Sequence, residues 1–374
     1  MQKVIHSDNV KTAIQTLGWT QKDLAARLGV TGQAVTNWMK GTDFPRPDKL
    51  LKLAAALRLP FEQLVLKEAS PHAPVIAFRT KANVKTTDEH ILKAKAMGEM
   101  LRPLIEFLEP MPGKPSYIAN PSLAHANLQA LALELRQDLG KGEQAALRYQ
   151  DLIGEFAENR AVLVPVMWGE KRDHRNALHI LLPQERITFV FLNLDVYLED
   201  FKFWMAHELA HVYTPELAGT NAGEDFADAL AGSLLFPQAL AQQAYSKAQH
   251  AGSKGALAVL QRFAQEHSIS LNTVFGQVRR YAQEFKLAPL VCDERAIHAV
   301  RMKSRGEHVS AAMYKPAAPT PAEYMASAKN VFRSQFFEAM RRMIKSKNTG
   351  AGYIQQVMDI PMQDAMALHA ELAR

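Results

Sequence analysis

The sequence predicts a mainly α-helical protein with one small antiparallel β-sheet. An all-helical domain precedes that α+β core and a helical region follows it. Three observations predict this class. Residues 8–66 alternate short helical patterns with Gly and Pro punctuation. Three apolar runs then fall close together, AVLVPVMW (161–168), ALHILLP (177–183) and RITFVFLN (186–193). Runs of this length and composition, separated by charged turns such as GEKRDHR (169–175), read as strands. The segment directly after them, FKFWMAHELAHVY, reads as a helix, and helical patterns continue to the C-terminus.

The elements follow in order. A first helix runs from about Asn9 to Leu17 and stops at Gly18. Thr20, with Asp23 three residues on, has the spacing of a capping box for a second helix ending at Gly29. Thr31 caps a third, GQAVTNWMK, which Gly41 ends. Pro45 and Pro47 break the chain before KLLKLAAAL, and a short helix follows Pro60. Ala25 is small where helices two and three cross, and Val35 and Trp38 bury the third. Residues 67–85 read as a connection and 86–240 as the core domain, with helical patterns at 86–109, 121–139 and 143–158. A helical region spans 241–302, in which 263–283 has a helix–turn–helix rhythm capped at Ser270 and carries Arg279 and Arg280, with Lys286 just beyond. The Pro-, Ala- and Lys-rich stretch 303–323 reads as a loose connection. Two last helices, about 324–347 and 350–373, make a C-terminal unit whose methionines fall at core spacing.

Composition narrows the function. The 374 residues are 48% hydrophobic and 22% charged, ordinary for a soluble globular protein of two or three domains. No apolar run is long enough to span a membrane, and MQKVIHSDNV has no apolar stretch of a secretory signal. The single cysteine, Cys292, excludes an internal disulfide and fits a reducing cytoplasm. A formal net charge of +6 permits contact with nucleic acid without requiring it.

The most informative residues are HELAH, 207–211. Helical positions four apart share a face, so His207 and His211 can point at one metal ion. Glu208 beside them can take a proton from water at that metal. Thirteen residues after His211, a second helical pattern, EDFADALAGSLLFP, begins with Glu224, a candidate third ligand. Asp228, four residues further on the same face, can accept the outer N–H of a ligand histidine and fix its tautomer. Two imidazoles, one carboxylate and an open position are the donor set of a catalytic Zn2+ site. His174 and His179 lie in the strand region and read as surface or core histidines rather than further ligands. No phosphate-binding Gly loop and no Ser–His–Asp spacing is present.

HELAH followed by E-x-x-A-D-x-x-A-x-x-L-L-x-P (Glu224, Ala227, Asp228, Ala231, Leu234, Leu235, Pro237) resembles the ImmA/IrrE family of metallopeptidases. VIAFRTKANV (75–84) resembles the segment that opens many members. Ala210 and Trp204-Met205 depart from that pattern without removing a ligand. The resemblance implies a zincin-like core with a gluzincin-like site, and cleavage of a repressor, antitoxin or toxin partner in a stress or mobile-element response. Residues 8–66 resemble the XRE (Cro-like repressor) helix-turn-helix domain. That resemblance implies binding to double-stranded DNA. Gln21 would hold a phosphate, Gln33 and Asn37 would face base edges, and Thr36 would touch a thymine methyl. Lys40 and Arg46 would contact phosphates. One recognition helix reads only a few base pairs, so a homodimer on an inverted repeat is expected. Gly32 stands where a base-reading side chain is common.

Three readings of function stay open at this stage. The chain is a zinc endopeptidase joined to a DNA-binding domain, a regulator whose metal domain senses a partner without turnover, or a toxin–antitoxin component. Glu208 favours the enzyme, because a sensor needs the ligands but not the base. A substrate peptide is expected to add as a strand along RITFVFLN, taken as a sheet edge bordering the cleft.

Overall fold

The computed structural model describes residues 3–67, 72–79, 88–111, 115–168, 177–290, 292, 296–297, 299–300, 306–315 and 318–374. The charged turn 169–175, with His174, lies outside them, as do parts of the two connections read at 67–85 and 303–323. The chain divides into two units, Met1–Ala73 and Pro74–Arg374.

The first unit holds α1 (Ser7–Thr16), α2 (Gln21–Leu28), α3 (Gly32–Met39), α4 (Pro47–Leu57) and α5 (Phe61–Leu64). Local chemistry sets these boundaries. Thr20 Oγ1 accepts from the Asp23 N–H at 3.2 Å, and Asp23 accepts in return from the Thr20 N–H at 2.8 Å. Those bonds hold the Asp23 carboxyl below its usual range. Gly29 closes α2 at φ +62°, a left-handed conformation that costs a residue without Cβ little. Leu24, Ala25, Leu28, Val35 and Trp38 are buried in one cluster with Val10, Ile14 and Leu53. To the all-helical expectation the structure adds a short antiparallel pair, β1 (Lys3–Ile5) with β2 (Val65–Lys67), which joins the two ends of the unit.

The second unit is built on a four-stranded sheet of order β3-β5-β6-β4. Its strands are β3 (Val75–Arg79), β4 (Ala161–Val166), β5 (Ala177–Leu182) and β6 (Ile187–Asn193). The antiparallel expectation needs correction. β5 pairs antiparallel with β3 and β6, but β4 runs parallel to β6, so the sheet is mixed. A turn at residues 183–186 makes β5 and β6 a hairpin, which leaves β4 only the outer side of β6. RITFVFLN is not an edge, because β6 is bonded on both sides, and its fully buried pattern is that of an interior strand. The edges are β4 and β3, the latter lying within the stretch read as a connection.

Helices cover both faces. α6 (Asp88–Leu101) packs on β3 and β5, while α9 (Leu198–Tyr213) packs on β5 and β6. α7 (His125–Asp138) and α10 (Asn221–Leu235) flank α9 through α10, and α8 (Tyr149–Glu158) packs on α9 and β4. α11 (Gln238–His267), interrupted at Gly252, turns at Ser268 into α12 (Leu271–Glu284). Ser270 caps α12 as expected, and α12 buries one face against α11 and α10.

Within the stretch read as loose, Val309–Tyr314 forms α13, whose Val309 and Ser310 N–H groups donate to Val196 and Leu194 at the end of the sheet. Each of the two expected C-terminal helices is two: α14 (Pro321–Asn330) and α15 (Phe336–Lys347), then α16 (Ala351–Met358) and α17 (Met362–Leu372). Pro361 explains the second break. Met325, Met340 and Met343 are buried, as their spacing implies. Tyr324 and Ser334 donate hydroxyls to the β4 carbonyls of Pro165 and Leu163, and Trp168 donates to Met358 O at 2.9 Å. The C-terminal helices therefore occupy part of the outer edge of β4, which otherwise offers unpaired backbone groups.

Candidate metal centre and helix-turn-helix face

α9 carries HELAH at the centre of the second unit. It is buried through its second half, Met205 to Tyr213 all being buried, so His207, Glu208 and His211 are polar groups set in an otherwise apolar stretch. Near its start Lys202 is buried too. Its ammonium donates to Leu147 O at 2.7 Å and to His267 O, and burial pulls it down to about 8. α10 lies beside α9, and two glycines let the chain turn tightly between them. Gly219 has φ +73°, and a Cβ there would stand 2.8 Å from Ile76 O. A Cβ at Gly223 would stand 2.2 Å from Leu217 O, so only glycine permits this approach one residue before Glu224. Sequence reasoning passed over Gly223. Thr220 caps α10 by accepting from the Gly223 N–H at 3.0 Å. At the other end of α10, the buried Arg136 guanidinium donates to Leu234 O at 2.6 Å.

These elements bring His207, His211 and Glu224 together. Nε2 of His207 and Nε2 of His211 are 3.1 Å apart. Glu224 Oε2 lies 3.4 Å from the first and Oε1 3.3 Å from the second. Two imidazole nitrogens and a carboxylate converging this closely repel unless a proton or a cation lies among them. Bonds of ~2.0–2.1 Å in a tetrahedral zinc site put ligand atoms ~3.3 Å apart, so the donor set and its spacing fit such an ion. His207 and His211 are fully buried, and the Glu224 side chain is 23% exposed.

Asp228 stands where the sequence placed it, with Oδ1 2.9 Å from His207 Nδ1. This contact turns the Nε2 of His207 toward the triad. It serves one histidine only, since the buried Nδ1 of His211 has no hydrogen-bond partner among the described residues. Burial opposes a charge on His207, but its bonds to Asp228 and Glu224 prevail and raise it to about 9. Burial likewise opposes charge on Glu224, yet both histidines hold its carboxyl far below the usual range. Asp228 also borders a cavity of about 430 Å³ shared with Trp204, Gln277, Arg279 and Arg280.

Glu208 is buried, and its Oε2 lies 3.4 Å from Nδ1 of His179 on β5. His179 is a core histidine, the sequence having left surface and core both open, and it stands outside the triad. Its position opposite Glu208 was not anticipated.

On the first unit, Gln33, Thr36 and Asn37 lie along α3, Gln21 begins α2, and Lys40 and Arg46 follow α3. Gln21, Gln33, Lys40 and Arg46 are exposed, Thr36 and Asn37 half-buried. Gln33 Nε2 donates to Asn37 Oδ1 at 2.9 Å, so the two amides are already paired. Thr36 gives its hydroxyl back to Gly32 O at 3.0 Å.

Comparison with known proteins bears on this unit. A family model described as helix-turn-helix matches residues 10–64. The N-terminal unit is accordingly a DNA-binding helix-turn-helix domain of the XRE type, and the chain carries a regulator's DNA-binding module. No curated protein and no solved structure matches the chain. Among the described residues, no helix is long and apolar enough to cross a membrane.

Proposed function

We propose that the second unit is a zinc-dependent endopeptidase with a zincin-like core, joined to a DNA-binding domain and directed at a regulatory protein. The observation that carries this reading is the convergence of His207, His211 and Glu224 with Glu208 on the same helix. His207, His211 and Glu224 would hold a zinc ion, which would supply Lewis acidity toward water and the scissile carbonyl. Glu208 takes the proton of the attacking water and passes it to the leaving amine. Asp228 keeps His207 in the tautomer that offers Nε2. The choice of a repressor, antitoxin or toxin as substrate follows from the resemblance to the ImmA/IrrE family.

Access to the site is narrow. Glu208 and both histidines are buried, and Glu224 and Asp228 alone of the five are appreciably exposed, so generic peptides are expected to be poor substrates. The test is hydrolysis of casein and of the proteins encoded beside this chain, by wild type and by Glu208→Gln loaded with zinc. An amide cannot shuttle the proton, and general acid–base action is worth about 10²–10⁴ in rate. Cleavage by wild type that Glu208→Gln loses at unchanged zinc content supports the reading. A cellular role that survives Glu208→Gln intact overturns it in favour of a non-catalytic regulator.

A further inference from the structure

His179 sits in the middle of β5, opposite Ala77 of β3 and Val190 of β6. It is fully buried, and neither ring nitrogen has a hydrogen-bond partner among the described residues. The chain around it is apolar: its neighbours along β5 are Ala177, Leu178, Ile180 and Leu181. A leucine or valine fills such a place without stranding polar atoms, so packing gives no reason for an imidazole. One polar atom stands within reach. Glu208 Oε2, also buried and also without a hydrogen-bond partner, is 3.4 Å from Nδ1 of His179. The His179 ring further lies edge-on to His211, 5.6 Å between centroids. His179 approaches the site from the sheet, whereas the triad and Asp228 belong to α9 and α10.

We propose that His179 is a positioning residue for Glu208. Its neutral ring donates Nδ1–H to Glu208 Oε2, which orients the carboxylate so that Oε1 serves as the basic atom. A carboxylate on a free side chain samples several rotamers; a donor fixed on a central strand selects one. The two atoms stand 3.4 Å apart, just beyond ordinary hydrogen-bond length. This role rests on the peptidase reading for its purpose, but the contact itself does not.

The first experiment needs no activity. Full-length protein labelled with 15N-histidine and loaded with zinc is studied by long-range 1H–15N spectra, with His179→Asn assigning the signal. The Nδ1–H tautomer is expected for His179, and Glu208→Gln should move its Nδ1 resonance, because a charged acceptor has been replaced by a neutral one. A ring protonated at Nε2, or an Nδ1 signal that Glu208→Gln leaves in place, overturns the proposal.

The second experiment uses hydrolysis of the best substrate found. His179→Leu should lower kcat about 10–100-fold, the usual effect of losing a partner just outside a catalytic centre. KM and zinc content should stay unchanged. His179→Asn places an amide N–H near the position of Nδ1 and should recover most of the loss. An asparagine variant no better than leucine, or a loss seen in KM alone, overturns the role. A protein that passes the spectroscopic test yet cleaves nothing keeps the contact and loses the peptidase reading.

Discussion

His207 and Asp228 are joined by a 2.9 Å contact between Nδ1 and Oδ1, and this one bond turns Nε2 of His207 toward His211 and Glu224. Asp228 sits one helical turn after Glu224, so a candidate ligand and the partner of a second candidate, His207, come from the same face of α10. Asp228→Ala should leave the fold intact and weaken zinc binding by about 10–100-fold, as loss of such a partner generally does. Competition against a chelating dye measures it. An unchanged affinity would mean that α9 alone holds the ring.

Proton release should accompany metal uptake. In the metal-free site His207 is raised to about 9 by Asp228 and Glu224 against the cost of its burial. Raised this way, it contributes stability that is complete below about 6.5, its unfolded value, and lost as pH climbs through 9. A metal ligand must be deprotonated, so zinc displaces that proton at any pH below 9, and apparent affinity rises with pH up to that point. Glu224 enters as a carboxylate at no proton cost, since its carboxyl is held far below neutrality. Calorimetry at pH 7.5 in two buffers of different ionisation enthalpy should show between one and two protons released per zinc, one from His207 and a fraction from water at the metal. Zero release would contradict the assignment of His207.

On the DNA-binding face, the Gln33–Asn37 bond makes the two amides a unit. Each bidentate amide–adenine pair supplies about 1–3 kcal/mol of discrimination. Because each amide holds the other in place, Gln33→Ala and Asn37→Ala should each lose much of what the double variant loses, giving a coupling of about 0.5–3 kcal/mol rather than additivity. Anisotropy titrations with a duplex selected from random sequence would measure this. Strict additivity would show that the pairing is dissolved on DNA, and random binding by wild type would point to a docking role.

Much of this was legible because the signals are local. Thr20 with Asp23, Gly29, and the four-residue spacing of His207 and His211 each lie within a few positions, and helical geometry does the rest. Asp228 was legible by the same rule, one turn from Glu224. Pairing over distance was not. β1 and β2 are three residues each, too short to carry a period, and they meet across the whole first unit. The runs that became β4, β5 and β6 announce strands but not partners. The parallel pairing of β4 with β6, and with it the burial of RITFVFLN between two neighbours, could not be read from any of them. His179 shows the same limit at the site. Strand geometry says that its side chain has a face, and only the packing of α9 on β5 decides that this face holds Glu208. Gly223 looks like an ordinary helix-start glycine until Leu217 O is found where its Cβ would be.

Everything proposed for the second unit depends on His207, His211 and Glu224 holding one zinc ion. The most direct measurement is metal content by mass spectrometry of the purified wild type and of His211→Ala. One zinc per wild-type chain and a near-complete loss in His211→Ala is the result predicted; equal zinc in the two proteins would contradict it.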